Sequence, residues 1–512
     1  MLALIRVAGL ILGFLSMILL ANRFGAGKMT DVLFIAMVFP VFFLRQIGRA
    51  VNCAFIPVYT EILTDRGDTE ALRMASTFTR IFVGGAAVVG MLYFVFARYF
   101  VYVLAPGFAA SSIELIVTLT RVLTPAFVLL ALFAIGESIL NSKWIFIPSS
   151  LASNLPSIGM IAGILLLAPR YGIMGVAIGI LVGLALQAVS VFPYLWEQVK
   201  AFSAGFGWGE RGVRGVFNQF WPVLFSSSIN QINQIADKSM ATLLGVGRVS
   251  ALTYSSRLII FLPEVFLSSF GRTILPTVSE QVALNRFEDT RKMLVSALRW
   301  IFFIVLPAVT LLIALRTNVI ALFFERGNFA PEDTRLTALA LGFYAPSILI
   351  VTVNICLRRT IFALQESQFI ARVGVVAVGF NVLMNFILMR FLDVGGLALA
   401  TTLSALLHLG ASYWFLAKRV GRIHDTALAA GLAKMFAASA VAALIACAAS
   451  SYFVRLAPHT SFGMKLAHLV MVSLLGGVAY IVAAWCLRIE ELRKMVSMAG
   501  LFARRFSGEI AS

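Results

Sequence analysis

Histidine and cysteine are scarce in this 512-residue sequence, and carboxylates are outnumbered almost two to one by Lys and Arg. Each shortage excludes a class of chemistry. Cys53, Cys356, Cys447 and Cys486 are scattered with no CxxC, and there are only four histidines, so neither a zinc site nor a disulfide framework is expected. No Gly-rich loop ending in Gly-Lys-Ser/Thr is present, which excludes a P-loop ATPase domain. Neither HExxH, nor a nucleophile–base set, nor a paired-carboxylate motif stands out, so an enzyme of lipid-phosphate metabolism lacks its catalytic cluster and the chain reads as a non-enzyme. Charge of either sign is thin overall, at 12% of residues, which is too little for a soluble surface.

Apolar length is what the chain has in abundance. It is 60% hydrophobic with a mean hydropathy of +0.95, and apolar runs of roughly 18–25 residues follow one another, each enough to cross a bilayer core. The expected class is an all-α polytopic membrane protein. Fourteen spans are predicted: 2–21, 31–54, 79–104, 115–140, 146–168, 172–195, 218–243, 250–275, 295–323, 335–360, 367–390, 395–417, 428–453 and 464–487. Residues 2–21 are too long for a signal-peptide core and lack an A-x-A site, so they read as a retained first helix. The net charge of +18 belongs to orientation rather than nucleic acid, since the loops containing Arg66, Arg73 and Arg80, Lys143, or Arg286, Arg291 and Lys292 are about twice as basic as the alternate set. Both termini are therefore expected in the cytoplasm, with 488–512 an amphipathic surface tail.

The sequence repeats itself. FGAGKMTD (24–31) matches LGVGRVSA (244–251), AFIPVYTE (54–61) matches TILPTVSE (273–280), Phe108 answers Phe329, and Gly175 answers Gly396, all near one offset. The charged loops 62–80 and 281–299 correspond as well. Six spans per copy keep both copies in the same orientation, so two parallel six-helix repeats are predicted, followed by two C-terminal helices. The expected domains are an N-lobe at 1–200, a linker at 201–217, a C-lobe at 218–420, the last two spans at 421–487, and the tail.

Intramembrane charge is mostly arginine: Arg6 in span 1, Arg45 and Arg49 in span 2, Arg257 and Arg272 in span 8, with Glu264 seven residues beyond Arg257. A cavity lined by guanidinium groups suits a phosphate or diphosphate, which arginine grips with two prongs. The alternative is that those near helix ends snorkel to the headgroups. Asp237, Asn381, Asn385 and Thr401 offer oxygen ligands on three spans that could hold a sodium ion, or could hydrogen-bond between helices. Glu137 is expected to be a cap or loop contact.

Read in order, FGAGKMTD, VLAPGF, ESILNSKW, NQINQIADKSMATLLGVGRVSALTYSSRL, GRTILPTVSE, ERGNFAPEDTRLTALALGFYA and FNVLMNFILMRFLDVGGLALATTLSA resemble the MurJ/MviN family of lipid II flippases in the MATE-like MOP superfamily. The resemblance implies fourteen helices in two MATE-like lobes and alternating access without ATP. It implies export of an undecaprenyl-diphosphate-linked peptidoglycan precursor across the bacterial inner membrane. It matches Arg257 in YSSRL to the family's cavity arginine and Asp31 to the acid after the GAG turn, which joins the substrate set. It also matches Asp237, Asn381, Asn385 and Thr401 to a sodium site found in some members; no other cofactor is expected. Partners would be the lipid-linked diphosphate and membrane lipids, with the chain a monomer. Two stretches depart from the pattern. LILGFLS (10–16) lacks the arginines usual in the first helix, with Arg6 a turn earlier, and LRQIGR (44–49) replaces a double arginine followed by an acid. A flippase for another polyprenyl-diphosphate glycan, or a MATE-type ion-coupled exporter, is the alternative. Cavity arginines rather than carboxylates argue against the exporter.

Overall fold

The computed structural model describes residues 1–195, 211–259, 280–281, 284, 286–421, 426–456 and 461–497, and these are all-helical apart from turns. Among the described residues, twelve helices are long and apolar enough to cross a membrane, from Leu2–Phe24 to Phe462–Cys486. They correspond to the first six and last six predicted spans. The seventh is present as a continuous 34-residue helix, Arg211–Leu244, long enough to cross but too polar to be counted with the twelve. The eighth is described only to residue 259, so Glu264 and Arg272 lie outside the described residues.

The N-terminal elements that matter below are α1 (Leu2–Phe24), α2 (Lys28–Ala36), α3 (Leu44–Arg66), α4 (Asp68–Val95), α5 (Ala97–Leu104), α6 (Ala110–Leu123) and α7 (Ala126–Ser142). A π-helical turn at Val38–Phe43, carrying Pro40 with no N–H to donate, joins α2 to α3. Residues 62–80, expected as a loop, are instead helix on both sides of a one-residue break at Gly67. The amphipathic pattern there keeps the helices going, and only the glycine at φ 85° lets the chain reverse.

The chain forms two compact units. The first comprises Met1–Thr253 with Arg326–Asp333, so it extends past residue 200 to take in the Arg211–Leu244 helix. That helix lies along α3, and its Val213, Val216 and Phe220 join a core built on Ala50, Phe55 and Tyr59 of α3, Phe78 of α4 and Phe133 of α7. Ring pairs line the seam, with Phe55–Phe78 and Phe78–Phe217 both at 5.4 Å between centroids. Because lipid is as apolar as these side chains, close packing rather than exclusion from water holds such helices together.

The second unit contains the described residues from Tyr254 onward, apart from 326–333. Its core joins Leu298, Phe303 and Leu306 to Ile348, Leu357 and Tyr480, whose hydroxyl donates to the Phe303 carbonyl at 2.8 Å. Arg299 ties down the chain after the last span through Glu490 at 2.8 Å. Gly175 in the first unit and Gly396 in the second each press onto the backbone closing the preceding helix, at Leu167–Ala168 and Leu388–Met389.

Candidate functional site

The FGAGKMTD turn, between α1 and α2, and the LGVGRVSA turn, after Arg211–Leu244, lie against each other within the first unit. Both turns start a helix in the same register, with Gly27 and Gly247 as the residues just before the first turn and Thr30 and Ser250 three residues on. Thr30 Oγ1 reaches back to accept the Gly27 N–H at 3.0 Å, so α2 caps itself. The helix at 248–259 is capped from outside. Asp31 Oδ2 accepts the Gly247 N–H at 2.5 Å, and Oδ1 accepts the Ser250 N–H at 2.7 Å and the Ser250 hydroxyl at 2.5 Å.

Asp31 is fully buried, where an isolated carboxylate would be costly. Three donors on its two oxygens and the positive end of a helix dipole offset that cost. The Thr30 and Ser250 hydroxyls, equivalent residues of the two turns, are in hydrogen-bond contact at 2.8 Å. Gly247 has φ 86°, and a Cβ there would stand 2.5 Å from the Ala26 carbonyl, so only glycine lets the turns approach this closely.

Two flanking contacts are also equivalent to each other. The Gly107 N–H donates to Thr242 Oγ1 at 3.2 Å, and the Asn328 N–H donates to the Asn22 carbonyl at 2.9 Å. Asn328 and Asp333 come from the 326–333 segment of the first unit. Asn328 Nδ2 also donates to the Arg23 carbonyl at 2.6 Å, and Asp333 Oδ2 accepts the Ala26 N–H at 3.2 Å. The result is a clasp of four chain segments, loops and helix starts, closed by two carboxylates.

Arg6 on α1 and Arg45 and Arg49 on α3 are exposed, and Arg257 on 248–259 is half-buried in the second unit. Of the predicted sodium set, three residues come together in the second unit. Asn385 Nδ2 donates to Asn381 Oδ1 at 3.2 Å, and Asn381 Nδ2 approaches Thr401 Oγ1 at 3.5 Å. Both asparagines are fully buried, an oxygen-bearing knot whose donor chemistry suits a hard cation as well as hydrogen bonding. Asp237 is buried in the first unit. Among the described residues no three His, Cys, Asp or Glu side chains form a metal cluster.

Glu137 corrects an expectation. It is not a loop contact: it lies within α7 and accepts from Asn52 Nδ2 of α3 at 2.8 Å, while Ser138 Oγ donates to Asn52 Oδ1 at 2.8 Å. No sequence signal paired Asn52 with Glu137, because they lie on different spans far apart in the chain. The repeat marked Ser250 as the equivalent of Thr30, but the contact of Asp31 with Gly247 and Ser250 is seen only in the structure.

This arrangement of spans defines a polytopic membrane protein with the fold of the MATE-like transporters. The structure is similar to one titled "Inward-facing conformation of a multidrug resistance MATE family transporter of the MOP superfamily", with a TM-score of 0.69 and 14% identity over 82% of this chain and 95% of that one. It is also similar to "Lipid II flippase MurJ, inward closed conformation", with a TM-score of 0.74 and 22% identity over 93% and 97%. Residues 20–467 match the family described as lipid II flippase MurJ, and the chain belongs to that family. It is 28% identical to "Probable lipid II flippase MurJ" of Vibrio cholerae serotype O1 over 79% of both chains. It is 25% identical to the protein of the same description from Buchnera aphidicola subsp. Baizongia pistaciae over 96% of both.

Proposed function

We propose that this chain carries lipid II, the undecaprenyl-diphosphate-linked peptidoglycan precursor, from the inner to the outer leaflet of the bacterial inner membrane by alternating access. The family match over residues 20–467 is the observation that carries this reading. Translocation needs no bond made or broken, consistent with a flippase family rather than an enzyme. The chain's task is to expose one polar site to each side in turn.

The Asp31 clasp is the closing element in this proposal. It joins two helix starts through one carboxylate, so separating the turns exposes Asp31 and the N–H groups of Gly247 and Ser250 together, and water replaces them. An element with two satisfied arrangements and a costly half-open one is what a gate requires. We assign substrate contact to arginine: Arg257 to the diphosphate, with Arg45, Arg49, Arg6 and Arg272 along the path of entry. In the same proposal the chain has fourteen spans in two parallel repeats, with both termini in the cytoplasm and Asn381, Asn385, Thr401 and Asp237 available to a sodium ion. The matching contacts of Gly175 and Gly396, and of Thr30 and Ser250, support the repeat.

Depletion of the resident flippase in a bacterium, rescued by this chain, tests the function. Normal growth with no accumulation of lipid II is the expected result. Accumulation of a different polyprenyl-diphosphate glycan in a deletion strain of the source bacterium, with lipid II unchanged, would move the assignment to that substrate. Transport that is the same in sodium and potassium buffers, together with full activity of Asn385→Ala, would remove sodium from the proposal.

A further inference from the structure

The geometry points to a binding site for one anionic membrane phospholipid on the flank of the first unit, in a groove between α3, α4, α7 and the Arg211–Leu244 helix. The groove is a cavity of about 750 Å³. Its walls are apolar throughout except at one place, where Arg80 of α4 lines it. None of the residues assigned to the lipid II path lines the groove, although Arg45 and Arg49 stand on the same helix, α3.

The ends of the groove can be ordered from contacts. Phe78 packs on Phe217 at 5.4 Å and Phe82 on Phe220 at 5.9 Å, so the Arg80 end of α4 lies beside the early part of the Arg211–Leu244 helix. A Cβ on Gly48 would touch Ala134, and one on Gly90 would touch Phe127, so the far end is bounded by Val89, Phe127 and Leu44. From Arg80 to Val89 is nine helical residues, about 14 Å. One leaflet of a ~30 Å hydrocarbon core is about 15 Å deep. The groove therefore matches the acyl depth of a single leaflet, with its one cation where a headgroup phosphate would stand. A polyprenyl chain reaching through both leaflets has no such match.

Arg80 is half-buried, and its guanidinium sits 3.4 Å from the Ser76 carbonyl and hydroxyl, which steadies it at the groove mouth. Arg73 on α4 and Arg214 on the Arg211–Leu244 helix are exposed toward the same end together with the carboxylates Glu61, Asp65, Asp68 and Glu70, so the positive charge that belongs to the groove itself is that of Arg80. Basic pockets between membrane helices bind phosphate headgroups on this principle. Gly84 and Gly85 open the middle of the groove, and a Cβ on either meets nothing within 4 Å.

That last point supplies the test. The purified full-length chain is placed in phosphatidylcholine nanodiscs containing a phosphatidylglycerol probe with a diazirine at its acyl end, and photo-adducts are mapped by mass spectrometry. Adducts are expected in the segments holding Val89, Phe127 and Leu224. Arg80→Ala should lower the labelling about tenfold, as for loss of one charge-assisted contact. Gly84→Leu, which fills the groove without a backbone clash, should abolish it, and Gly379→Leu, also facing open space, should leave it unchanged. If Gly84→Leu fails to fold, Arg80→Ala alone decides. Adducts elsewhere, labelling indifferent to Arg80→Ala, equal labelling by an uncharged diacylglycerol probe, or preferential displacement by undecaprenyl phosphate would each overturn the proposal. The readout is binding, so it stands apart from whether the chain flips lipid II.

Discussion

Two helix starts built on one matching pattern of residues are capped in opposite ways. In FGAGKMTD the third helical residue, Thr30, caps Gly27 of its own turn. In LGVGRVSA the equivalent hydroxyl, Ser250, turns outward to Asp31 and Thr30, and the cap on Gly247 comes from Asp31. The asymmetry traces to one position: the first turn ends in Asp31 and the second in Ala251. An internal cap is the same whether the turns are together or apart. A cap supplied from the other turn exists only when they meet. Between two copies of one motif, a single carboxylate has thus been placed where it reports contact.

The largest effect should come from making that contact permanent. Thr30 and Ser250 meet through their hydroxyls at 2.8 Å, so Thr30→Cys with Ser250→Cys places two thiols at bonding range. In a background free of the four native cysteines, oxidation should stop rescue of a flippase-depleted strain, and reductant should restore it. Rescue by the fully oxidised pair would show that the turns never part during transport, and the gate would have to lie elsewhere.

Asp31→Asn should be nearly as severe while leaving the shape alone. The amide keeps one acceptor oxygen but turns an NH2 group toward the donors on Gly247 or Ser250. The loss of charge-assisted hydrogen bonds, plus one donor left facing another, costs about 2–4 kcal/mol in the clasped state. At 1.4 kcal/mol per tenfold, that shifts the balance of the two states by about 30- to 700-fold toward the open clasp. Cysteine accessibility at residue 250 should rise accordingly. A carboxylate restored on the other turn, as Ala251→Asp in the Asp31→Asn chain, sharpens the comparison. If the clasp reads only total charge, it recovers. If it reads which helix is capped, it does not, and the second outcome is expected because α2 already has its cap in Thr30.

Arg257→Ala tests the substrate path independently of the clasp. It should abolish rescue with the protein still in the membrane. Arg257→Lys should fail as well or rescue weakly, because a point charge cannot reproduce a two-pronged hold on a diphosphate. Full rescue by Arg257→Ala at native expression would make this arginine structural and leave the clasp assignment standing.

Much of the architecture was legible in hydropathy alone, and the reason is physical: a bilayer demands about twenty apolar residues per crossing, so the spans announce themselves. The Arg211–Leu244 helix, expected over 218–243, gives a weaker hydropathy signal because it carries many polar side chains, two of which, Gln231 and Asp237, are buried. Helix continuing through 62–80 was hidden by its charges, which read as loop until Gly67 is seen as the one break. The turn motifs were legible as equivalents, yet a repeat states which residues correspond and not that they touch. That Thr30 meets Ser250 depends on where the relation between the copies places them, which no offset records. Asn52 with Glu137, and the groove beside Arg80, carried no pattern at all, since each brings together side chains of helices whose packing the sequence does not state.

The smallest effect belongs to the flanks of the clasp, where the two equivalent contacts differ in kind. The Asn328 N–H donates to a backbone carbonyl, that of Asn22, which no side-chain substitution removes. The Gly107 N–H depends on the side chain of Thr242, whose own hydroxyl donates to the Ser239 carbonyl at 2.6 Å. Thr242→Val keeps the branched shape and deletes the hydroxyl, leaving one N–H unanswered at a part-buried site, a cost of about 1 kcal/mol. Rescue should persist, with accessibility at residue 250 rising by no more than about tenfold. Asn22→Ala, which spares the carbonyl, should change it less than Thr242→Val does. If Asn22→Ala proves the more damaging, the two flanks do not share the load in the way their matched positions imply, and the equivalence of the copies would end at the Thr30–Ser250 contact.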